Sequence, residues 1–488
     1  MSLYGGIELV GQPSLENVRR LDLLPMPCIS EMMRGGFRID PDYLNDLADK
    51  FTIQADDLKA DICSYIPHDK LDEFIGRSKL DDEDAYLPMN VDSTDQLVEL
   101  LFNVLGVGMG KKLKLTKGGK PSTGKKQMEQ LKLEHPVVQK ILSYRELAKL
   151  ISTYCRKLPK IARWHKAGVC DICVFDGEAW VHDEGGWYIH TQILTTRTAT
   201  GRLSSKSPNL QNIPARKAIG KSVRRGFVAS PGMELVSVDW AQMEMRLGGH
   251  RSKDPNLKRI FDADLDVHTD TAIRAFGLPP GVKPDKHTQR DPSKITNFMI
   301  FYGATETGLF DQLLVNFAEA GIPTPEWLTL EWCKRFIDQW FNELYPSVKE
   351  CMDAQAYRAK RYGVVWTMCG RINRVPEVRS VHNRIVAAGI RQCGNSPIQG
   401  DNADLLKIAL AETHELLRRF RREGVRARSV MTIHDEWIGE VEQGWGDYLR
   451  WAVEEIFEKV MTDKQTGENY CSVPLKADSE IIMRWGQE

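Results

Sequence analysis

The sequence predicts an α+β protein built from several lobes. Three observations carry this. The Val-rich run Met233–Asp239 reads as a strand that ends on an acid. Two short apolar runs, Ser429–Ile433 and Trp437–Val441, flank three polar residues and read as a hairpin. Helical periodicity fills His135–Leu158 and most of the region from about Asp254 to Tyr362. At 488 residues the chain can bury a large core and is expected to divide into lobes.

Composition narrows the classes. Hydrophobic content of 42% and charged content of 27% are those of an ordinary soluble protein. No run of 18 apolar residues occurs, and no basic segment followed by an apolar core opens the chain. Neither a membrane span nor a secretory signal is predicted, so an intracellular place, cytoplasm or nucleoid, is the default. The ten cysteines are irregularly spaced and read mostly as small buried apolar residues rather than a disulfide framework.

The chemistry concentrates in three segments. Val236-Ser237-Val238-Asp239-Trp240 gives way to the helical pattern Ala241–Leu247, which places Asp239 at the carboxyl end of a strand. Ile433-His434-Asp435-Glu436-Trp437 puts Asp435 and Glu436 in the hairpin turn. Two carboxylates on adjoining strand ends can share metal ions, and phosphoryl transfer needs metals ~4 Å apart to activate a hydroxyl and offset leaving-group charge. Mg²⁺, hard and oxygen-seeking, is the expected ion. Taken singly, either aspartate is better read as a helix cap or turn residue.

The third segment shifts that balance. Arg290, Lys294, Phe298 and Tyr302 stand four apart and form one stripe on a helix, two cations followed by two aromatics. Such a stripe suits a triphosphate at its cationic part and a sugar and base at its aromatic part. An amphipathic helix with a solvated cationic end has the same pattern. Pro292 fits a first helical turn, so Arg290 is expected at or just before the helix start.

Two other features stand apart. From Lys111 to Lys126 there are seven lysines, Lys111, Lys112, Lys125 and Lys126 among them, no acid, and interleaved glycines: a flexible cationic tip. It reads as a sequence-independent duplex contact or as a solvated charge run. Arg418–Arg422 reads as the solvated face of a helix. Cys170 and Cys173 form a C-x-x-C with His165 before and His182 after, within a segment 164–187. These four could hold a structural zinc, although the spacing fits no familiar finger and a hairpin tip with two packed thiols explains it equally well.

Thr200-Gly201-Arg202-Leu203-Ser204-Ser205 and Pro208-Asn209-Leu210-Gln211-Asn212-Ile213-Pro214 resemble the signature of family A DNA polymerases, the bacterial repair polymerase and its phage and organellar relatives. The three segments above match that family's motifs A, B and C in order. Asp266-Val267-His268-Thr269, Ser396-Pro397-Ile398-Gln399-Gly400 and the tail Val473 to Trp485 match as well, so the resemblance runs from about Leu23 to the end. It implies a right-hand fold: an N-terminal palm-associated region (1–90), a helical thumb with the lysine-rich tip and the 164–187 insertion (91–195), a palm bearing motif A (196–253), helical fingers with motif B (254–365) and a palm bearing motif C (366–488).

The resemblance also implies roles. Asp239 and Asp435 would bind two Mg²⁺ ions, with Glu436 in support. Arg290 and Lys294 would hold the triphosphate. Phe298, Tyr302, Gln242 and His268 would form the nucleotide pocket, in which Glu244 crowds the 2′ position. Arg202, Asn209, Gln211, Arg391, Asn395, Gln399 and His434 would touch primer or template through groups common to all base pairs. Trp240 stands where Tyr is usual, and Met299 replaces a Gly. Only about twenty residues precede Leu23, so a proofreading exonuclease is expected to be absent, leaving proofreading or processivity to separate partners. The implied activity is template-directed DNA synthesis. A single-subunit RNA polymerase and a non-catalytic DNA-binding protein are the alternatives; Glu244 and the Arg202–Pro214 signature speak against the first, and the intact Asp239, Asp435, Arg290 and Lys294 against the second.

Overall fold

Val-rich strands, acidic strand ends and amphipathic helices sort into two units in the computed structural model, which describes residues 2–75, 87–111, 113–175, 178–214, 217–279 and 281–487, and only the backbone of 171–174 and 178–179. Unit 1 comprises Met1–Asp40, Ala162–Phe310 and Pro325–Glu488; unit 2 comprises Pro41–Ile161 and Asp311–Thr324. The acidic stretch Asp81–Asp84 of the sequence lies outside the described residues. Among those described, no helix is long and apolar enough to cross a membrane.

Thirteen strands are described, all in unit 1. They are β1 (Phe37–Ile39), β2 (Arg163–His165), β3 (Gly168–Phe175), β4 (Glu178–His182), β5 (Gly186–Ile189), β6 (Gln192–Leu194), β7 (Ser204–Lys206), β8 (Met233–Trp240), β9 (Val364–Trp366), β10 (Ile372–Arg374), β11 (Ala427–Ile433), β12 (Glu436–Glu442) and β13 (Ala477–Ile482). The sheet that matters most is antiparallel, in the order β11-β12-β8-β13. Leu235, Val236, Ser237 and Val238 are all buried, so β8 is covered on both faces and its apolar residues do not alternate strictly with polar ones. Gly446–Glu458 packs against β8 and β13, and Met26–Gly35 packs against β11.

Trp240 belongs to this core. It is buried, donates its indole N–H to the Phe457 carbonyl at 2.9 Å, and packs its ring 4.6 Å from Phe457. Buried polar side chains of β11 find partners within the sheet: Thr432 donates to Glu436 O at 2.9 Å and Ser429 accepts from the Trp437 indole at 3.1 Å. Arg428 on β11, fully buried, is matched across the strand pair by Glu440 at 2.6 Å and also donates to Gly36 O at 2.9 Å. A buried charge without such a partner would cost several kcal/mol.

The structure corrects three expectations at the level of elements. The helix expected over His135–Leu158 is Pro136–Leu150, capped by the His135 side chain, then a π-turn Ile151–Cys155 and a short helix Lys157–Ile161. Pro159 has no N–H to offer residue 155, which removes one rung of the ladder there. The motif C turn holds two residues, not three: Glu436 already pairs with Ile433, and His434 takes the left-handed conformation at φ 59°. The arginine run is not wholly solvated, because Arg421 is tucked in against Glu31 at 3.3 Å and donates to Ala427 O. Of the nine described cysteines, seven are buried and all are free thiols.

Candidate active site

Strand register builds the acidic centre. Asp239 on β8 lies directly opposite Glu436 on β12 and opposite Asp478 on β13, with Asp435 one residue back in the hairpin turn. Asp478 escaped the sequence reading, since only the register of the last strand brings it here. Glu436 is turned aside: it accepts from the Ser237 hydroxyl at 2.8 Å, lies 3.9 Å from Arg224 and takes a hydrogen bond from Trp485. Asp239 keeps accessible surface. Burial first, then the charges of Asp435 and Glu436, push its carboxyl up to about 8. Burial raises Asp435 as well, offset in part by the nearby charge of Arg202 and a hydrogen bond from Asn402.

Beside this centre stands the helix Asp291–Phe301, entered through a π-turn Lys286–Arg290. Pro292 occupies its first turn as expected, while Arg290 and Tyr302 are its two caps, so the stripe spans the helix from end to end. Arg290 donates to Asp266 at 2.8 Å and to Thr269 at 3.2 Å; Asp266 also caps Val267–Ala275 and accepts from Gln242 at 3.4 Å. Lys294 is exposed and, among the described residues, without an ion-pair partner. His268 is buried, with Nδ1 3.0 Å from the Asn297 amide and its ring 5.5 Å from Phe298. Burial pushes His268 down to about 4, so it is neutral.

Glu244 ties the pieces together. Its carboxylate accepts from Arg202 at 2.5 Å and from the Tyr302 hydroxyl at 2.7 Å. Burial, then the Glu244 charge, pushes Tyr302 up to about 12, so it stays a donor. The helix Asn383–Arg422 carries Arg391, Asn395, Gln399 and Asn402 at spacings of four, four and three, one face of a helix. From that face Gln399 bonds Tyr302 and Asn402 bonds Asp435. Arg391 packs over Gly303, where a Cβ would meet its side chain at 2.4 Å. Asn209 accepts from Ser205, His434 is exposed, and Gln211 is buried with its amide on the Thr432 carbonyl at 3.0 Å. Gln211 therefore braces β11 in this structure. Met299 is half-buried.

The remaining expected residues lie elsewhere. In unit 2 the lysine-rich segment is an ordered turn, not a loose tip: Thr116 and Lys120 exchange a backbone hydrogen bond and Ser122 donates to Lys114 O. Lys111 pairs with Glu134 and Lys120 with Asp95 at 2.7 Å, acids distant in sequence, and Lys125 with Glu129 at 3.6 Å, one helical turn on. Lys126 is exposed, and Lys112 lies outside the described residues. In unit 1 His165, Cys170 and His182 come together, while the Cys173 side chain lies outside the described residues. Burial holds both rings neutral, His165 pushed down to about 3 and His182 to about 4.

Asp239 and Asp435 fit a divalent ion by donor chemistry. They are hard oxygen ligands whose carboxyls are raised, chiefly by burial and, at Asp239, also by the neighbouring carboxylates. Such an acidic couple suits a divalent metal ion.

The chain belongs to DNA polymerase family A, whose sequence model matches residues 77–487. Similar proteins include the thermostable DNA polymerase I of Thermus aquaticus, 32% identical over 94% of this chain and 46% of its own length. The DNA polymerase I of Chloroflexus aurantiacus is 31% identical over 98% and 44% of the two chains. The chain thus spans less than half the length of these relatives. The solved POL domain of Pol1 from M. smegmatis, in complex with DNA primer-template and dNTP, aligns with a TM-score of 0.72 at 27% identity, covering 96% of this chain and 72% of that one.

Proposed function

We propose that this chain is a template-directed DNA polymerase that adds deoxynucleoside monophosphates to a primer 3′-hydroxyl. The observation that carries the reading is the strand pairing of Asp239 with Glu436 beside Asp435, which gathers carboxylates at one sheet end whose charge Arg202 and Arg224 offset only in part. Asp239 and Asp435 would hold two Mg²⁺ ions, which supply Lewis acidity for attack and departure when bound. Arg290 and Lys294 bind the triphosphate; Arg290 reaches it already oriented by Asp266 and Thr269. Phe298 and neutral His268 pack on the incoming nucleotide, and Gln242, tethered to Asp266, borders the same pocket. Glu244, fixed by Arg202 and Tyr302, occupies the space that a 2′-hydroxyl would need. Arg202, Asn209, Gln211, Arg391, Asn395, Gln399 and His434 position the primer-template end, directly or through one another.

In this reading the four-stranded sheet is the palm, the helices of 254–365 within unit 1 are the fingers, and the lysine turn of unit 2 belongs to the thumb. The M. smegmatis protein, solved with primer-template and dNTP, supports these partners. The test is extension of a labelled primer on a DNA template with Mg²⁺, deoxynucleotides against ribonucleotides. Template-dependent growth with deoxynucleotides alone is expected, and Glu244→Ala should admit ribonucleotides. Binding of primer-template without growth would overturn the assignment.

A further inference from the structure

A second cluster of unit 1 lies on the small strands β2 to β5. His165 ends β2, Cys170 lies on β3 and His182 ends β4; all three are buried, and one ligand atom of each lies within 4.8 Å of the others. Among the described residues no other group of three meets that condition. Backbone register brings them together. Gly168 faces His182 and Cys170 faces Trp180 across the β3–β4 pair, so Cys170 and His182 are diagonal neighbours on one face.

His165 Nδ1 lies 3.3 Å from His182 Nε2. Two nitrogens bound at ~2.0–2.1 Å to one tetrahedral zinc stand ~3.3 Å apart. An N–H···N hydrogen bond has a similar length, so the outer contacts matter. His190 Nδ1 faces the Met33 carbonyl at 3.0 Å, a pure acceptor, so it carries the proton and His190 Nε2 is a lone pair. His165 Nε2, 3.0 Å from that lone pair, must then donate, which leaves His165 Nδ1 as a lone pair aimed at His182. His182 Nδ1 is 3.2 Å from the Tyr188 hydroxyl, whose own proton can pass to Ser230 Oγ at 2.9 Å. Each imidazole can thus give its outer N–H to a fixed acceptor and turn its inner nitrogen inward, the outer-shell arrangement of metal-bound histidines. The buried Cys170 thiol makes no hydrogen bond among the described residues and completes a soft donor set.

We propose that His165, Cys170 and His182 form a structural zinc site that ties the β3–β4 hairpin to β2, with the fourth position taken by water or a further protein donor. The test uses the full chain purified without chelator, assayed for bound zinc and then exchanged with Co²⁺. About one zinc per chain is expected, and Co²⁺ should give tetrahedral visible bands with a thiolate charge-transfer band in the near ultraviolet. The thiolate band should persist in Asp239→Asn and vanish in Cys170→Ser. A folded wild-type chain that retains no zinc, or shows only the weak octahedral spectrum of carboxylate-bound Co²⁺, would overturn the proposal. Because that spectrum is read on the unsubstituted chain, misfolding of a variant cannot decide it.

Discussion

Unit 1 holds two groups of acids in opposite circumstances. Asp22 and Asp404 meet Arg371 and Lys407 in a closed network: Arg371 bonds Asp22 and Asp404 at 2.7 Å each, and Lys407, fully buried, bonds Asp22 at 2.6 Å. Burial alone would raise Asp22, but the hydrogen bonds from Arg371 and Lys407 overcome it and hold the carboxyl below its usual range. Asp239 and Asp435 have no such closure, and both carboxyls are raised. The same residue type thus fastens the fold in one place and is left short of countercharge in the other. Asp404, fully buried in the same network, is raised by that burial in spite of Arg371 and Lys407, so burial and cation contact together set these carboxyls, and what distinguishes the candidate catalytic pair is the absence of a direct ion pair among the described residues.

The strongest way to break this contrast is substitution at the open pair. Asp239→Ala or Asp435→Ala should abolish primer extension while leaving primer-template binding near that of the parent and the fold intact. Retained extension, or collapse of the fold, would erase the distinction. Next in size, Arg371→Ala strips buried Asp404 of its direct cation partner and leaves Asp22 with Lys407 alone, and should cost about 3–5 kcal/mol in urea unfolding. A loss within error would mean that the network contributes nothing.

Proton linkage sharpens the comparison further. Asp239 titrates near 8 when folded against an ordinary 3.8, so between those values the unfolded chain sheds its proton first and folding is increasingly penalised as pH rises. Without divalent ions, Asp239→Asn should gain in melting temperature over the parent as pH rises from about 5 to about 8. A gap that stays constant would contradict the raised carboxyl. The smallest effect is expected in unit 2. Lys126→Ala should weaken DNA binding uniformly across sequences and lower the salt slope by about 1 if Lys126 meets a phosphate. An unchanged slope would mark it as a solvated lysine.

Much of the acidic centre was legible because its signals are local: an apolar run ending on Asp239, and a turn flanked by two strand-like runs. The cation-and-aromatic stripe was legible for the same reason, although its ends proved to be caps. What remained hidden depends on distance along the chain. Asp478 reaches Asp239 only through the register of β13, and Glu31 finds Arg421 across almost four hundred residues. His190 joined the histidine cluster through a backbone carbonyl that no spacing rule marks. The lysine turn misled in the opposite sense, because two of its compensating acids, Asp95 and Glu134, lie on other segments.

One consequence of the sheet order concerns how the protein is made. Strand β8 is flanked by β12 and β13, both encoded near the end of the chain. A ribosome working at roughly 5–20 residues per second completes β8 and then needs about 10–40 s to reach Glu436. Throughout that interval a Val-rich strand waits without its hydrogen-bonding neighbours, open to wrong partners on other nascent chains. Slow translation or crowded polysomes should therefore lower the yield of active protein before any catalytic residue is touched.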